Sequence, residues 1–149
     1  EVCMIARAVG NHEEEYGMPL SEIGAALIIA DKSDAHRTRV RKGGRYDPND
    51  IHDRVNYSIK SNRIVVNKDT RTIRFELQMD SSSSIMEYFE IFQRRMNMSE
   101  KAARFLNCSY EFNVNGVVIN RPQPINLEEK PLEEGETEVS VPVRPEDML

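Results

Sequence analysis

The most constraining feature of this 149-residue chain is a stretch near its middle in which apolar and polar residues alternate without a break. Every second position from 73 to 79 is apolar, and these residues are Ile73, Phe75, Leu77 and Met79. Successive side chains of a strand point to opposite faces of a sheet, so the stretch predicts a strand with one buried face. Residues 63–67 are rich in Ile and Val, and Lys68-Asp69 predicts a turn, so a hairpin is expected over 63–79.

Beyond the hairpin, the spacing of the apolar residues changes to that of a helix. The serines at 81–84 offer an N-cap for it. The apolar stripe that follows consists of Ile85, Tyr88 or Phe89, Phe92 and Met96. A second short helix is predicted from Ser99 to about residue 105. Strands are predicted at 109–114 and 117–119 around an Asn115-Gly116 turn, and a last strand at 138–143.

The first 61 residues carry helical patterns only. Helices are predicted in the first half of 2–16, from Pro19 to about residue 29, and from Asp47, as N-cap, to about residue 61. A polar loop over 31–45 separates the last two of these helices. We therefore expect an α+β chain with a helical N-terminal segment, 1–61, followed by a sheet-containing domain, 62–149.

Composition excludes several classes of protein. The net charge is −5, and 39% of residues are hydrophobic, which is too many for a wholly disordered chain. The longest apolar run, 23–30, is far shorter than the roughly 18 residues that a membrane-spanning helix needs. Cys3 and Cys108 could form one bridge at most, so a reducing compartment, nuclear or cytoplasmic, is expected. The chain starts at Glu1 without a signal-type segment, as expected of a piece of a longer protein.

The charge is unevenly distributed along the chain. Residues 36–45 contain no acid, whereas residues 122–149 contain two basic and eight acidic side chains. Such asymmetry indicates where charged partners or segments make contact. The candidate basic patch consists of Arg37, Arg39, Arg41, Lys42 and Arg45. We expect it to meet either the acidic C-terminal stretch or an acidic partner.

From about residue 62 the predicted order is strand, strand, helix, strand, short strand, loop, strand. An aromatic strand residue precedes a turn glycine, a Pro-x-x-Leu loop follows, and an acidic turn precedes the last strand. These residues are Phe112, Gly116, Pro124, Leu127, Glu134, Gly135 and Glu136. This pattern resembles ubiquitin-like proteins, and SUMO in particular. The resemblance implies a β-grasp, a ββαββ mixed sheet crossed by one long helix.

The resemblance also implies a role. Ubiquitin and SUMO are conjugated through a terminal Gly-Gly, whereas residues 144–149 here read RPEDML, which implies a built-in docking domain. SUMO binds hydrophobic peptides as a strand added beside its second strand, over the groove to the helix. The matching positions here are Arg74, Phe75, Glu76, Leu77, Met79, Ile85, Met86 and Phe89. Phe75, Leu77 and Phe89 have a plainer interpretation as core residues.

The helices before the hairpin allow a second fold prediction for residues 1–79. Three helices followed by a hairpin is the order of a winged helix, and the start of the chain is similar in outline to linker-histone domains. That fold would place the third helix on nucleic acid, with basic wing residues such as Arg63 near phosphates. Asp50 and Asp53 on the same helix would repel those phosphates. The alternative function is thus nucleic-acid binding through the wing and the 36–45 segment.

A catalytic or cofactor-dependent function is not predicted. His12 and Glu15 have helical i, i+3 spacing, but there is no HExxH motif and no Cys or His at ligand spacing. Cys108 has no accompanying nucleophile motif, and the chain has no phosphate-binding glycine loop. The sequence therefore predicts a protein that interacts with other proteins, without cofactor or metal. A further interpretation has the apolar residues Ile23, Leu27 and Ile28 docking the chain in a larger assembly.

Overall fold

A computed structural model describes residues 1–40, 46–120 and 122 of the chain. These residues form an α+β fold, as predicted, and contain four α-helices and a four-stranded mixed sheet. The helices are α1 (Val2–Gly10), α2 (Glu22–Lys32), α3 (Ile51–Ser58) and α4 (Ile85–Phe105). The strands are β1 (Ile59–Asn67), β2 (Thr72–Met79), β3 (Ser109–Val114) and β4 (Val117–Val118).

Side chains at the helix starts explain where α2 and α3 begin. The Ser21 hydroxyl accepts a hydrogen bond from the Gly24 amide and caps α2. Asp50, rather than the predicted Asp47, caps α3 by accepting from the His52 amide at 2.8 Å. Asp47 instead accepts from the Asn49 amide, which closes a turn before the helix. Helix α3 is therefore shorter than predicted, and β1 follows it directly.

Helix α4 is one continuous helix of 21 residues, not the two helices predicted from the sequence. The Ser84 hydroxyl accepts from the Glu87 amide while the Glu87 carboxylate accepts from the Ser84 amide, which is a complete capping box. Ser99, predicted to start a second helix, is buried inside α4 and does not cap a helix. The helix connects two parallel strands, because β2 and β3 pair in parallel.

The sheet has the strand order β1-β2-β3-β4. Strands β1 and β2 form the predicted antiparallel hairpin, with Ile64 opposite Phe75, and Phe75 lies opposite Phe112 of β3. Strands β3 and β4 form the second predicted hairpin, in which Asn115 and Gly116 both have positive φ. Glycine adopts that conformation without strain and asparagine tolerates it, which explains why this dipeptide makes the turn.

One hydrophobic core joins the N-terminal helices to the sheet. Ile28 of α2 and Val55 of α3 are fully buried in the same cluster as Leu77 and Phe112 of the sheet. The cluster lies between α4, α2 and one face of the sheet. The predicted division at residues 61 and 62 falls inside β1, so the helices before it and the strands after it share this core.

The strand order bears on both predicted topologies. The pairing that distinguishes a β-grasp, Ile64–Val66 with 139–143, includes residues outside the described ones, so the ubiquitin-like topology is not shown. In the winged-helix alternative the hairpin would project from the helices as a wing. Instead, β2 is hydrogen-bonded on both sides, to β1 and to β3, and it forms the middle of the sheet. The described hairpin is therefore not a free wing.

Candidate interaction surfaces

The residues of the predicted peptide groove are not arranged as the resemblance to SUMO implies. Phe75 and Leu77 are buried, at 2% and 0% exposure, within the core beneath α4. Both edges of β2 are occupied by neighbouring strands, so a partner peptide cannot add a strand beside it. The predicted addition of a partner strand beside β2 is therefore wrong. The plainer interpretation of Phe75 and Leu77 as core residues agrees with their burial.

The polar members of that predicted groove belong to a row of charges on the open face of the sheet. Arg63 of β1 donates to Glu76 of β2, and Arg74 of β2 donates to Glu111 of β3 at 2.6 Å. Arg74 Nη1 also lies 3.6 Å from Glu76 Oε1, so the four side chains form one continuous row. Cross-strand pairs of opposite charge stabilise a sheet. Arg74 and Glu76 are thus neutralised within the molecule.

The apolar members of the groove at the start of α4 are only partly available. Met79, Ile85 and Phe89 are partly buried and pack against the core cluster. Met86 points away from the core and is 71% exposed. Of the eight predicted groove residues, Met86 therefore offers the most exposed apolar surface.

In the part of the predicted basic patch that the structure describes, the arginines make contacts within the chain. Arg37 Nη2 donates to the Tyr57 carbonyl at 3.0 Å and to Asp80 at 3.2 Å, and its Nε donates to the Ile59 carbonyl. Arg39 forms an ion pair with Asp34. Arg41, Lys42 and Arg45 lie outside the described residues. Arg37 and Arg39 therefore make structural contacts, and neither is held as a free cation for an external phosphate.

His36, which precedes these arginines, fastens their segment to the sheet. Its ring is nearly buried, and its Nε2 hydrogen donates to the Lys60 carbonyl at 3.0 Å. Its Nδ1 accepts from the Thr38 amide and caps a short 3-10 turn over Arg37–Arg39. Asn62 adds two bonds from its amide to the carbonyls of Ser33 and Ala35. The segment 33–39 is thereby held against β1 and the end of α3.

The surface that the sequence interpretation missed is the apolar face of α1. Val2, Met4, Ile5 and Val9 are each more than half exposed, and Ala8 alone in this helix is buried. We call these four exposed residues the α1 face. The spacing of Met4, Ile5, Ala8 and Val9 predicts a helix with one apolar face, but periodicity does not say what covers that face. The short length of α1 and its near-absence of polar residues are the sequence signals that could have revealed it.

Three further apolar residues between α1 and the first turn of α2 are exposed. Tyr16 and Met18, in the connection from α1 to α2, are 86% and 53% exposed, and Ile23 in the first turn of α2 is 50% exposed. Of the apolar trio predicted to dock in an assembly, Ile23 is exposed, whereas Ile28 is fully buried in the core. The exposed member of the trio directly precedes Gly24, which lies against Ala8 of α1.

An open cleft of about 500 Å³ lies between the 14–17 segment and α4. Residues of both charges line it, namely Glu14, Glu15, Tyr16, Gly17, Arg94, Asn97, Met98 and Lys101. Glu14 is occupied by ion pairs to Arg95 at 2.8 Å and to the buried Lys32 at 3.7 Å. Gly17 packs directly on Met98. The cleft therefore lies chiefly along the contact between the 11–17 connection and α4.

Groups with intrinsic chemical reactivity are few among the described residues. Cys108 is half-buried, and burial raises the pKa of its thiol, which disfavours the reactive thiolate. Cys3 is exposed on α1. Within the described ranges, no group of three or more His, Cys, Asp or Glu side chains is arranged to hold a metal ion. In the same part of the chain, each helix is either too short or too polar to cross a membrane.

Comparison with known proteins assigns no relationship to the chain. No family model matches it, and neither a curated protein nor a solved structure is detectably similar to it.

Proposed function

We propose that this protein is a non-catalytic protein–protein interaction module that docks a partner through the α1 face, inside the cell. The observation that carries the proposal is the exposure of Val2, Met4, Ile5 and Val9 on a nine-residue helix. Large apolar side chains exposed in this number on one short helix are typical of a binding site. The same helix contributes only Ala8 to the core, so its apolar residues serve the core very little.

The energetics of burial favour a partner at this face. Covering a large aliphatic side chain that was exposed gains about 1.5–3 kcal/mol. Two of the four residues, Ile5 and Val9, lie one helical turn apart, so one partner element can contact both. A helix this short is marginal by itself, because isolated helices below about 12 residues are poorly stable in water. Partner binding would therefore stabilise α1 as well as cover it.

A finer form of the proposal makes residues 62–149 a ubiquitin-like docking domain. It is supported by the strand, strand, helix, strand, strand order of β1 to β4 around α4. It requires that residues 139–143 pair with Ile64–Val66 of β1. Backbone NMR assignment with inter-strand NOEs tests this pairing. NOEs between these two segments would support the finer form, and NOEs of residues 139–143 to another strand would refute it.

Site-specific photo-crosslinking in cells tests the docking function. A photoreactive amino acid at position 5 should give a discrete crosslinked partner, whereas the same residue at position 3 should give much less. Cys3 is also exposed, and because it is two positions from Ile5 its side chain points to nearly the opposite side of the helix. The identified partner, once purified, should bind wild type and lose at least about tenfold affinity for Ile5→Asp. Equal affinity for both proteins would refute docking at the α1 face.

A further inference from the structure

Helix α1 is attached to the rest of the fold by little buried apolar surface. Of its nine residues only Ala8 is buried. Ala8 meets α2 at Gly24, where an added β-carbon would lie 3.9 Å from Ala8 Cα. Alanine and glycine are the smallest residue types, so this contact removes little apolar area from water. Apolar packing by itself therefore holds α1 weakly.

The connection that follows α1 is bound to it by local hydrogen bonds. The His12 ring donates to the Val9 carbonyl at the end of the helix. The Gly17 amide donates to the Glu13 carbonyl at 2.8 Å, which closes the connection on itself. Helix and connection thus form one local unit, residues 1–17, which we call the N-terminal arm.

Glu14 makes the polar contacts between the arm and the rest of the fold. Its carboxylate accepts from Arg95 Nε of α4 at 2.8 Å and lies 3.7 Å from Lys32 Nζ of α2. Within the described residues, every hydrogen bond and ion pair from the arm to another part of the chain comes from this side chain. Gly17 adds a backbone contact to Met98. The position of the arm therefore depends strongly on one carboxylate.

Both cations that meet Glu14 are held in place by other contacts. Arg95 also donates from Nη1 to the Asp34 carbonyl at 3.3 Å. Lys32 is only 5% exposed and forms a second ion pair, with Asp31, at 2.7 Å. A carboxylate that meets positioned and partly buried cations contributes more than an exposed ion pair does.

We propose that the N-terminal arm opens and closes as a unit, and that Glu14 holds it closed. Elements that bury few apolar contacts open at a lower cost in free energy than the core. Opening separates the arm from α2 and α4 and leaves the hydrophobic cluster between α2, α4 and the sheet in place. The inference concerns the motion of the arm and holds whatever the α1 face binds.

Native-state hydrogen exchange of the full chain tests the inference. The amides of residues 6–11 and of Gly17 should share one opening free energy, which is lower than that of the β2 amides and depends less on urea. Glu14→Ala should reduce the protection of these arm amides by about tenfold or more, because charge-assisted contacts are lost. Glu14→Gln, which keeps an acceptor but loses the charge, should give a smaller loss and replaces Glu14→Ala if that variant does not fold. Glu15, the next residue, is exposed, so Glu15→Ala should retain the wild-type protection.

A disulfide that holds the arm closed gives an independent measurement. An added β-carbon on Gly24 would lie 4.0 Å from Ala8 Cβ, which is within the range for bridged cysteines. Ala8→Cys/Gly24→Cys in a Cys3→Ser background should therefore form a bridge when oxidised. The bridge should raise the protection of residues 6–11 and of Gly17 by about tenfold or more, and reduction of the same protein should reverse the gain.

Several results would overturn the inference. Arm amides with the opening free energy and urea dependence of the β2 amides would show that the arm does not open separately, and unprotected arm amides would show that it is not held closed. Equal protection in Glu14→Ala and Glu15→Ala would exclude Glu14 as the holding contact. A gain from the bridge at residues 6–11 without a gain at Gly17 would show that the arm is not one unit. Failure of the bridge to form would contradict the closed contact between Ala8 and Gly24.

Discussion

Arg54 of α3 donates two hydrogen bonds to one carboxylate oxygen of Glu87 in the first turn of α4, from Nε at 3.1 Å and from Nη2 at 2.6 Å. The second oxygen of Glu87 accepts from the Ser83 hydroxyl and from the Ser84 amide. One carboxylate therefore closes the start of α4 and also attaches it to α3. The pair joins the helical N-terminal segment to the long helix that covers the sheet.

These contacts predict a dependence of stability on pH that Glu87 controls. Hydrogen bonds from Ser83, then from Arg54 and the Ser84 amide, lower the pKa of Glu87 from 4.5 to about 2. Because the folded state has the lower pKa, the contribution to stability is complete above pH 4.5 and is lost as the pH falls towards 2. Glu87→Gln should therefore lower the urea midpoint at pH 6 and flatten its decline below pH 4.5.

Glu90→Gln is the matched control for this experiment. Glu90 lies on the same helix but is exposed. Urea melts at several pH values between 6 and 2.5 should show the same pH dependence for Glu90→Gln as for wild type. If Glu87→Gln showed the same dependence of the urea midpoint on pH as wild type, the Glu87 carboxylate would not control the pH dependence of stability.

We predict that position 17 requires glycine, because three chain segments approach one another closely there. A β-carbon at this position would lie 2.2 Å from the Glu13 carbonyl oxygen and 2.4 Å from Met98 Cε. The methionine could move, but the backbone oxygen could not without loss of the Gly17 to Glu13 hydrogen bond. Gly17→Ala should therefore cost about 1–3 kcal/mol in the free energy of unfolding, measured by urea titration.

Gly10→Ala provides the comparison for Gly17. No atom lies within 4 Å of a β-carbon built at Gly10, the last residue of α1. Alanine also has a higher helix propensity than glycine by about 1 kcal/mol. Stability should be unchanged or slightly raised. Similar losses from the two substitutions would contradict a steric role for Gly17.

Phe112 should be among the most sensitive core positions. Its ring is fully buried and stacks on Tyr88 with centroids 5.4 Å apart, and it also contacts Phe75 and Phe89. Phe112→Ala should lower the free energy of unfolding by about 3–5 kcal/mol. Phe105 is 46% exposed at the end of α4, so Phe105→Ala should cost less than about 1 kcal/mol. Thermal and urea melts of both variants check this difference.

The sequence predicted the elements whose determinants are local. The alternation in 72–79, the serines before α4 and the Asn115-Gly116 turn each define a structure by residues that are close in the chain. The start of α3 was misplaced because Asp47 and Asp50 are both good capping residues. Which of them caps depends on the turn at 48–49, and the sequence pattern is compatible with either.

Long-range pairing was less accessible from the sequence. The alternation that identified β2 reveals its buried face but not its neighbours, so β2 was interpreted as a strand with a free edge. Its parallel pairing with β3 depends on how α4 packs across the sheet, which involves residues more than 30 positions apart. The periodicity of α1 did not reveal the exposure of the α1 face for a similar reason, because an apolar stripe predicts contact without specifying the contacting surface.

Arg37, which the sequence pattern assigned to a patch for acidic partners, makes structural contacts instead. Its bonds to the Tyr57 and Ile59 carbonyls and to Asp80 connect the 3-10 turn to the junction of α3 and β1. Arg37→Ala should therefore lower the free energy of unfolding by about 1–3 kcal/mol.

Arg39 in the same turn provides the control, because its pair with Asp34 is exposed to solvent. Exposed pairs contribute about 0.2–1 kcal/mol, so Arg39→Ala should be much less destabilising in the same urea titration. An electrophoretic mobility shift at low salt with duplex and single-stranded DNA and RNA tests the nucleic-acid alternative on wild type. If Arg37→Ala were as stable as wild type, the structural role of Arg37 would be contradicted. If wild type also retarded nucleic acid in the gel and Arg39→Ala weakened that retardation, the basic binding patch would be favoured.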